Sequence, residues 1–183
     1  MAARDLFVNS RYIERLERLL KPGSLILDLG CGSGKPIDKL FVYRGHSVIG
    51  IDIAKKQIKL ARKNVPQARY IVKDISDLRK EEFTVDAVIS FYTIIHVPRE
   101  THRELFEKIN SFLPPGGLVL VTMGSSEWQG TGDFYGVNMY WSQYGPEKNR
   151  EIIQEAGFQL ILEEIDTAGA EKHQVILAAK SSA

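Results

Sequence analysis

The chain has 183 residues, which is enough for one domain with a full hydrophobic core. Its 24 Lys and Arg residues nearly balance 23 Asp and Glu residues, so the formal net charge of +1 predicts neither a nucleic-acid partner nor a membrane partner. The single cysteine cannot form an intramolecular disulfide. The sequence contains neither the apolar core of a signal peptide nor the run of about 18 apolar residues that a membrane span needs. We therefore expect a cytoplasmic protein without a membrane span.

No internal repeat, low-complexity tract or linker divides the chain, which predicts a single domain over residues 1–183. Its first element is a helix over about residues 10–20, in which apolar residues recur at helical spacing. Pro22 and Gly23 end this helix, because proline and glycine both interrupt helical backbone.

The segment over residues 26–34, ILDLGCGSG, joins a predicted buried strand to a glycine-rich turn and a following helix. Apolar residues fill the strand, and glycines at alternate positions allow a tight turn against which a ligand can lie. The free amides at the start of the next helix point at the same place. This arrangement predicts a nucleotide-type cofactor site.

Three glycine-rich signatures compete for this turn. The P-loop is excluded, because Pro36 stands where the magnesium-binding hydroxyl belongs and Leu29 where the first glycine belongs. The dinucleotide fingerprint is a poor match, because Lys35 occupies its third glycine position. The remaining pattern, D-x-G-x-G-x-G, is complete and starts at Asp28.

The rest of the chain alternates between strand and helix patterns, which predicts a parallel sheet covered by helices. Predicted strands cover about residues 47–52, 68–73, 85–91, the second part of 114–123, 158–165 and 174–179, and predicted helices cover about residues 37–44, 54–64, 100–113 and 146–156. Ligands of such sheets bind at the carboxyl ends of the strands.

The strand and turn that carry Asp28 and the three glycines resemble motif I of the class I S-adenosylmethionine (SAM)-dependent methyltransferases, and the resemblance covers about residues 24–180. It implies an α/β fold with a Rossmann-like, doubly wound sheet of seven mostly parallel strands, helices on both faces, and a last strand that runs antiparallel between the fifth and sixth. It also implies SAM as cofactor, S-adenosylhomocysteine as product, and methyl transfer to a small-molecule acceptor by direct in-line displacement. The alternatives are an RNA or protein methyltransferase and a non-catalytic SAM-binding module.

The resemblance further implies which residues bind the cofactor. Asp52, at the end of the second strand, would pair with the ribose hydroxyls, and Ile53 would lie against the adenine. Asp74 would accept the adenine amino group, and its alternative role is that of a helix N-cap. The full set is Asp28, Gly30, Cys31, Gly32, Gly34, Asp52, Ile53, Asp74, Ile75 and Ser90.

The loop after the fourth strand supplies the candidate catalytic residue. His96 lies in this loop, and histidine is the side chain that most often serves as a general base. The alternative is a structural histidine that caps the helix near Arg99 or packs beneath a lid. Ser90 stands where magnesium-dependent members of the family hold a carboxylate, so we expect no metal. The sequence SFYT also replaces the Asn/Asp-Pro-Pro-aromatic loop of enzymes that methylate amino groups of adenine or glutamine.

Aromatic residues are concentrated in residues 124–145, where the family inserts substrate lids. We expect this segment to be a loop that walls off an apolar or planar acceptor, although its rings would serve equally well as a small satellite core. The candidate acceptor-binding residues are Tyr92, Phe134, Tyr135, Tyr140 and Trp141. The N-terminal helix is a second lid candidate, on which Tyr12 would close over the SAM carboxylate or pack in the core. His102 is expected at the surface.

Overall fold

The computed structural model describes residues 6–134, 136–168 and 171–182. Their strands are β1 (Leu25–Leu29), β2 (Ser47–Asp52), β3 (Arg69–Val72), β4 (Ala87–Ser90), β5 (Leu118–Gly124), β6 (Trp128–Phe134), β7 (Val137–Gln143), β8 (Phe158–Asp166) and β9 (His173–Lys180). Their α-helices are α1 (Leu6–Glu17), α2 (Ile37–Tyr43), α3 (Lys55–Asn64), α4 (His102–Phe112) and α5 (Pro146–Glu155). Short 3₁₀ helices cover Ile75–Asp77, Ile94–His96 and Arg99–Thr101.

Seven of these strands form one sheet in the order β3-β2-β1-β4-β5-β9-β8. The pairs among β3, β2, β1, β4 and β5 are parallel, whereas β9 runs antiparallel to both of its neighbours, β5 and β8. The predicted fold class is therefore confirmed, including the antiparallel last strand between the fifth and sixth strands of the sheet.

The sheet is apolar on both faces because helices cover both of them. On one face, α1 and α2 contribute Tyr12, Leu16 and Phe41 to a core against β1, β4, β5 and β9. On the other face, α4 and α5 supply a larger core that includes Phe106 and Ile153. This two-sided burial explains why the central strands are nearly continuous apolar runs.

Residues 124–145 differ from their sequence-based prediction. Instead of a loop, most of this segment forms an antiparallel hairpin in which β6 pairs with β7 from Trp128–Gln143 to Phe134–Val137. Glycines at positions 130 and 132 weaken the strand signal in the sequence, since glycine has low strand propensity. Pairing of the two backbones supplies the order that local propensity does not predict.

The first helix also differs, since α1 begins at Leu6 and ends at Glu17 rather than covering residues 10–20. Between β3 and β4, the chain makes the 3₁₀ turn Ile75–Asp77. Among the described helices, none combines the length and the apolar character needed to cross a bilayer.

Candidate functional site

The candidate site lies at the carboxyl edge of the sheet, where β1, β2, β3 and β4 end side by side. The glycine turn follows β1, Asp52 ends β2, Asp74 follows β3, and the loop that leads to His96 follows β4. In doubly wound sheets, the strands' carboxyl ends form the ligand crevice. The fold therefore gathers the residues that the sequence placed at four separate points of the chain.

Backbone hydrogen bonds tie the glycine turn to β2. The amides of Gly30 and Cys31 both donate to Ile51 O, at 2.8 and 3.0 Å. The Gly32 amide donates to Asp52 Oδ2 at 2.9 Å, and the Ala54 amide donates to Asp52 Oδ1 at 2.8 Å. The Asp52 carboxylate is thus held rigidly beside the turn, with one amide on each of its oxygens.

The glycines of the turn meet different surroundings. A Cβ on Gly30, whose φ is +88°, would overlap the Thr93 side chain, so Gly30 allows the loop after β4 to lie directly on the turn. A Cβ on Gly34 would lie 2.5 Å from the Tyr70 hydroxyl oxygen. Only Gly32 faces open space, since no heavy atom lies within 4 Å of its Cβ position. The surface beside Gly32 is therefore where a ligand can approach the backbone.

A buried carboxyl pair lies beneath the turn. Asp28 and Asp38 are 3% and 0% exposed, and the Tyr70 hydroxyl donates to Asp38 Oδ2 at 2.9 Å. Burial raises the pKa of Asp28 well above its usual range, and the charge and hydrogen bond of Asp38 raise this pKa further. Burial also raises the pKa of Asp38. Burial therefore favours the protonated forms of these two carboxyl groups inside the protein.

Cys31 belongs to the same interior, in a cluster with Tyr70 and residues of α3. Burial raises the pKa of its thiol, so the side chain is a neutral packing group. Asp28 and Cys31, both predicted to bind the cofactor, are thus placed to act through the shape of the turn rather than through their side chains.

Asp74 caps the short helix after β3, because its Oδ1 accepts the Ser76 amide at 2.8 Å. The alternative prediction for this residue, an N-cap, is therefore confirmed, and Oδ2 has no hydrogen-bond partner among the described residues. The side chain of Ile53 is 66% exposed at the same edge, whereas that of Ile75 is buried. An exposed isoleucine beside a carboxylate offers an apolar surface for a flat ring.

Ser90 occupies a structural position at the end of β4. Its side chain is 0% exposed, and its hydroxyl donates to Leu29 O at 2.8 Å, which joins β4 to β1. The hydroxyl is therefore turned into the sheet, and Ser90 can face the site only through its backbone.

Tyr92 has an unusual backbone. Its φ of 56° lies in the left-handed region, which is rare for a bulky residue and often marks functional sites. The Tyr92 amide donates to Thr122 Oγ1 at 2.6 Å, and its ring meets the His173 ring edge-on at 4.8 Å between centroids. Thr122 and His173 were not predicted, since nothing in the sequence around them links them to the loop after β4.

His96 lies between this loop and the hairpin. Its Nδ1 is 2.7 Å from Tyr140 O. Because a carbonyl oxygen can only accept, Nδ1 carries the proton in this contact, and in the neutral ring Nε2 is then the acceptor. The His96 and Trp141 rings lie 5.4 Å apart, so His96 packs against the hairpin, and the choice between a structural and a catalytic role stays a prediction.

The hairpin presents an aromatic surface next to His96. Trp128 and Trp141 lie 5.7 Å apart on the same face of the hairpin, and a Cβ on Gly130 or Gly132 would contact one of these rings. Tyr140 is 38% exposed and its hydroxyl accepts from Gln129 Nε2 at 2.6 Å. Trp128 is a candidate that the sequence-based choice of residues missed. Of the predicted aromatic residues, Tyr135 lies outside the described residues, and for Phe134 only the backbone is described.

Two other expectations are decided by burial. Tyr12 is 1% exposed and its hydroxyl donates to Glu164 Oε2 at 3.3 Å, which agrees with the core alternative for this residue. The expectation that His102 lies at the surface is wrong, because this first residue of α4 is 0% exposed and its Nε2 lies 3.0 Å from Val97 O. Burial lowers the pKa of His102.

Across the described ranges, no three His, Cys, Asp or Glu side chains are grouped as a metal site would require. The expectation of a metal-independent site stays a prediction.

Comparisons with known proteins address the family directly. The chain matches the family described as "Methyltransferase domain" over residues 26–117. It is 27% identical over 177 residues to 24-methylenesterol C-methyltransferase 2 of Oryza sativa, which covers 85% of this chain and 47% of that protein. It is 34% identical over 113 residues to tRNA (carboxymethyluridine(34)-5-O)-methyltransferase of Arabidopsis thaliana, which covers 61% of this chain and 27% of that protein. The chain thus spans less than half the length of these relatives.

A solved SAM-dependent methyltransferase from Methanosarcina mazei has the same fold, with a TM-score of 0.79, 20% identity, and coverage of 92% of this chain and 98% of that one. The family match includes the glycine turn, Asp52, Asp74 and the loop after β4. The resemblance read from the glycine motif is confirmed, and the chain belongs to the methyltransferase-domain family, among the class I SAM-dependent methyltransferases.

Proposed function

We propose that this protein is a methyltransferase that binds SAM at the glycine turn and methylates a small-molecule acceptor. The observation that carries the proposal is the pairing of an open backbone surface at Gly32 with the Asp52 carboxylate, which is fixed beside it. A nucleoside with a charged tail fits such a surface, because backbone amides and a carboxylate recognise its polar groups.

The residues present fit SAM. Each Asp52 oxygen accepts one amide and retains a lone pair, so the carboxylate can accept two ribose hydroxyls. Exposed Ile53 offers an apolar face to the adenine ring, and Asp74 Oδ2 can accept its amino group. Asp28, Cys31 and Gly34 would act by holding the turn, while Ile75 and Ser90 would contribute through their backbones.

When bound, SAM supplies a methyl group on a positively charged sulfur. The chain's own residues then hold the acceptor in line with that methyl group and remove its proton. His96 Nε2 would take the proton that the acceptor loses when it is methylated. The Tyr140 carbonyl supports this role, because it holds the His96 tautomer in which Nε2 can accept.

The hairpin is proposed as the wall of the acceptor pocket. The Trp141 ring contacts His96, Trp128 lies beside Trp141 on the same face of the hairpin, and Tyr92 follows β4 in a conformation fixed by Thr122. Aromatic walls exclude water and bind flat or apolar molecules. The sterol named for one relative is an apolar small molecule, which agrees with this acceptor class, whereas the tRNA named for another favours the RNA alternative.

Calorimetric titration with SAM, S-adenosylhomocysteine and NAD tests the cofactor. We expect micromolar binding of the first two and no binding of NAD, and binding of NAD alone would overturn the proposal. The informative variant is Asp52→Asn, and Asp77→Asn is the matched control, because Asp77 is an exposed carboxylate near the same edge that makes no contact with the glycine turn. A panel of planar small molecules and unmodified tRNA, assayed for S-adenosylhomocysteine release, then separates the two acceptor classes. Failure to turn over any acceptor despite SAM binding would favour the non-catalytic alternative.

A further inference from the structure

Charge is divided very unevenly along the chain. Residues 29–73 contain ten Lys and Arg residues and two Asp residues, a formal net charge of +8. The rest of the chain contains 14 Lys and Arg residues and 21 Asp and Glu residues, a net charge of −7. The total of +1 is therefore the near-cancellation of two strongly charged parts.

The structure collects the cationic part on one side of the molecule. Asn64 Nδ2, at the end of α3, donates to Ser33 O at 2.9 Å, and Tyr70, in β3, donates to Asp38 in α2. These contacts bring the starts of α2 and β3 beside α3. We call the exposed cations of these elements the basic face: Lys35, Lys39, Lys55, Lys56, Lys59, Arg62, Lys63 and Arg69.

No acidic side chain balances the basic face. In the described residues, none of its eight members is in an ion pair, and the one side-chain hydrogen bond, from Arg62 to Tyr70 O, leaves the charge uncompensated. Of the two acids of the segment, Asp38 is 0% exposed, and Asp52 is half-buried at the cofactor edge with its carboxylate bound to two backbone amides. The outward charge of this region is therefore predominantly positive.

The centre of the basic face lies on α3 and works against helix stability. Lys59 has a cation at each helical neighbour position, namely Lys55, Lys56, Arg62 and Lys63. Like charges three or four residues apart repel one another on a helix, and no acid on α3 relieves this repulsion. Such an arrangement favours a partner that brings several negative charges at regular spacing.

We propose that the basic face binds the phosphate backbone of RNA. With a rise of about 1.5 Å per residue, Lys55 and Lys63 lie about 12 Å apart along α3, so the cations can follow several phosphates of one strand. A membrane surface fits less well, because the apolar side of α3, Ile58 and Ala61, is buried in the protein and cannot insert into lipid. Leu60 is the one large apolar side chain of α3 that is exposed, and the cations of α3 flank it, so this surface chiefly offers charge for an anionic backbone to recognise.

The expectation of no nucleic-acid partner came from the net charge of the whole chain. The net charge does not describe the charge of one local surface, since a charge more than about 8–10 Å away is largely screened at physiological salt. The basic face is separate from the proposed methyl-acceptor pocket, so RNA binding can be tested independently of the small-molecule reaction.

Binding of a fluorescein-labelled single-stranded RNA, followed by anisotropy over a salt series, tests the proposal. If the five cations of α3 contact phosphates, the slope of log K against log salt is about −3.5. We expect Lys55→Gln/Lys59→Gln/Lys63→Gln to reduce this slope by about 2 and to weaken binding at low salt by about tenfold or more. Lys80→Gln/Arg103→Gln/Lys148→Gln is the matched control, because it removes three exposed cations elsewhere and gives the same net charge.

Single Lys59→Glu separates binding from folding. We expect it to raise the melting temperature, because it replaces four repulsions on α3 by attractions, and to weaken RNA binding at the same time. The proposal is overturned if the α3 variant binds RNA as the wild type does, if the control loses as much affinity, or if vesicles of phosphatidylserine bind the wild type while RNA does not. SAM titration of every variant confirms that the cofactor site is intact.

Discussion

Replacing Gly30 by alanine tests whether the loop after β4 is packed on the glycine turn. The new Cβ would overlap the Thr93 side chain, and the backbone φ of +88° is one that alanine adopts only with strain. Left-handed backbone costs about 1–2 kcal/mol for an L-residue, and overpacking adds about 1–3 kcal/mol. We therefore expect Gly30→Ala to destabilise the protein by about 2–5 kcal/mol.

Gly32→Ala is the control for the backbone part of this effect. Gly32 also has a positive φ, of 54°, but its Cβ would meet nothing within 4 Å. In thermal unfolding, 1 kcal/mol corresponds to about 2–4 °C for a chain of this size. Gly30→Ala should therefore melt about 2–12 °C below Gly32→Ala. For SAM affinity we expect the opposite order. Relative to the stability that each variant loses, Gly32→Ala should weaken SAM binding more than Gly30→Ala, because its methyl group would occupy the open surface where the cofactor is proposed to bind.

A second substitution sharpens the result. Thr93→Gly removes the atoms that the Gly30→Ala methyl group would overlap, so the double variant should recover part of the lost melting temperature. Equal melting temperatures for Gly30→Ala and Gly32→Ala, or no recovery in the double variant, would show that the loop does not pack on the turn as described.

Three further predictions concern the site. Asp52→Asn should weaken SAM binding by about 1–3 kcal/mol in calorimetry, and an unchanged dissociation constant would remove Asp52 from the site. His96→Gln keeps a donor for Tyr140 O but no base, so turnover should fall by about 10²–10⁴ with SAM affinity retained, and equal turnover would leave His96 a structural role. Burial raises the pKa values of Asp28 and Asp38 above those of the unfolded chain, so protonation of these groups stabilises the folded state. This stabilisation is fully present below about pH 4, the usual carboxyl pKa, and is lost as the pH rises through the folded-state pKa values. Urea unfolding from pH 4 to 8 should show this loss of stability. If the free energy of unfolding of Asp38→Asn depended on pH as that of the wild type does, the prediction would be contradicted.

The outline of the fold could be predicted because its signals are local. Apolar runs mark β1 and β2, Gly45 and Pro114 interrupt the chain near helix ends, and the spacing of the glycines identifies the turn. Asp52 was placed in the site by the family resemblance and its position at the end of the second strand, and the structure adds the amide contacts that hold it there.

The hairpin was not predicted, since its glycines and polar residues conceal a period of two. The burial of His102 was missed for a related reason, because the polar residues around it suggest an exposed helix start. In both cases the packing partner lies elsewhere in the chain, so the residues next to the hairpin or to His102 in the sequence do not identify it.

The sequence by itself determined the alternation of strands and helices, the glycine turn and the carboxylates at strand ends, because hydrophobic period and turn chemistry depend on neighbouring residues. Only the tertiary structure decided that Thr93 lies on Gly30, that Asp28 and Asp38 share the space beneath the turn, and that Thr122 holds Tyr92. It also gathered the cations of α2, α3 and β3 on one side. These contacts join residues far apart in the chain, and close packing of the sheet and its helices brings them together.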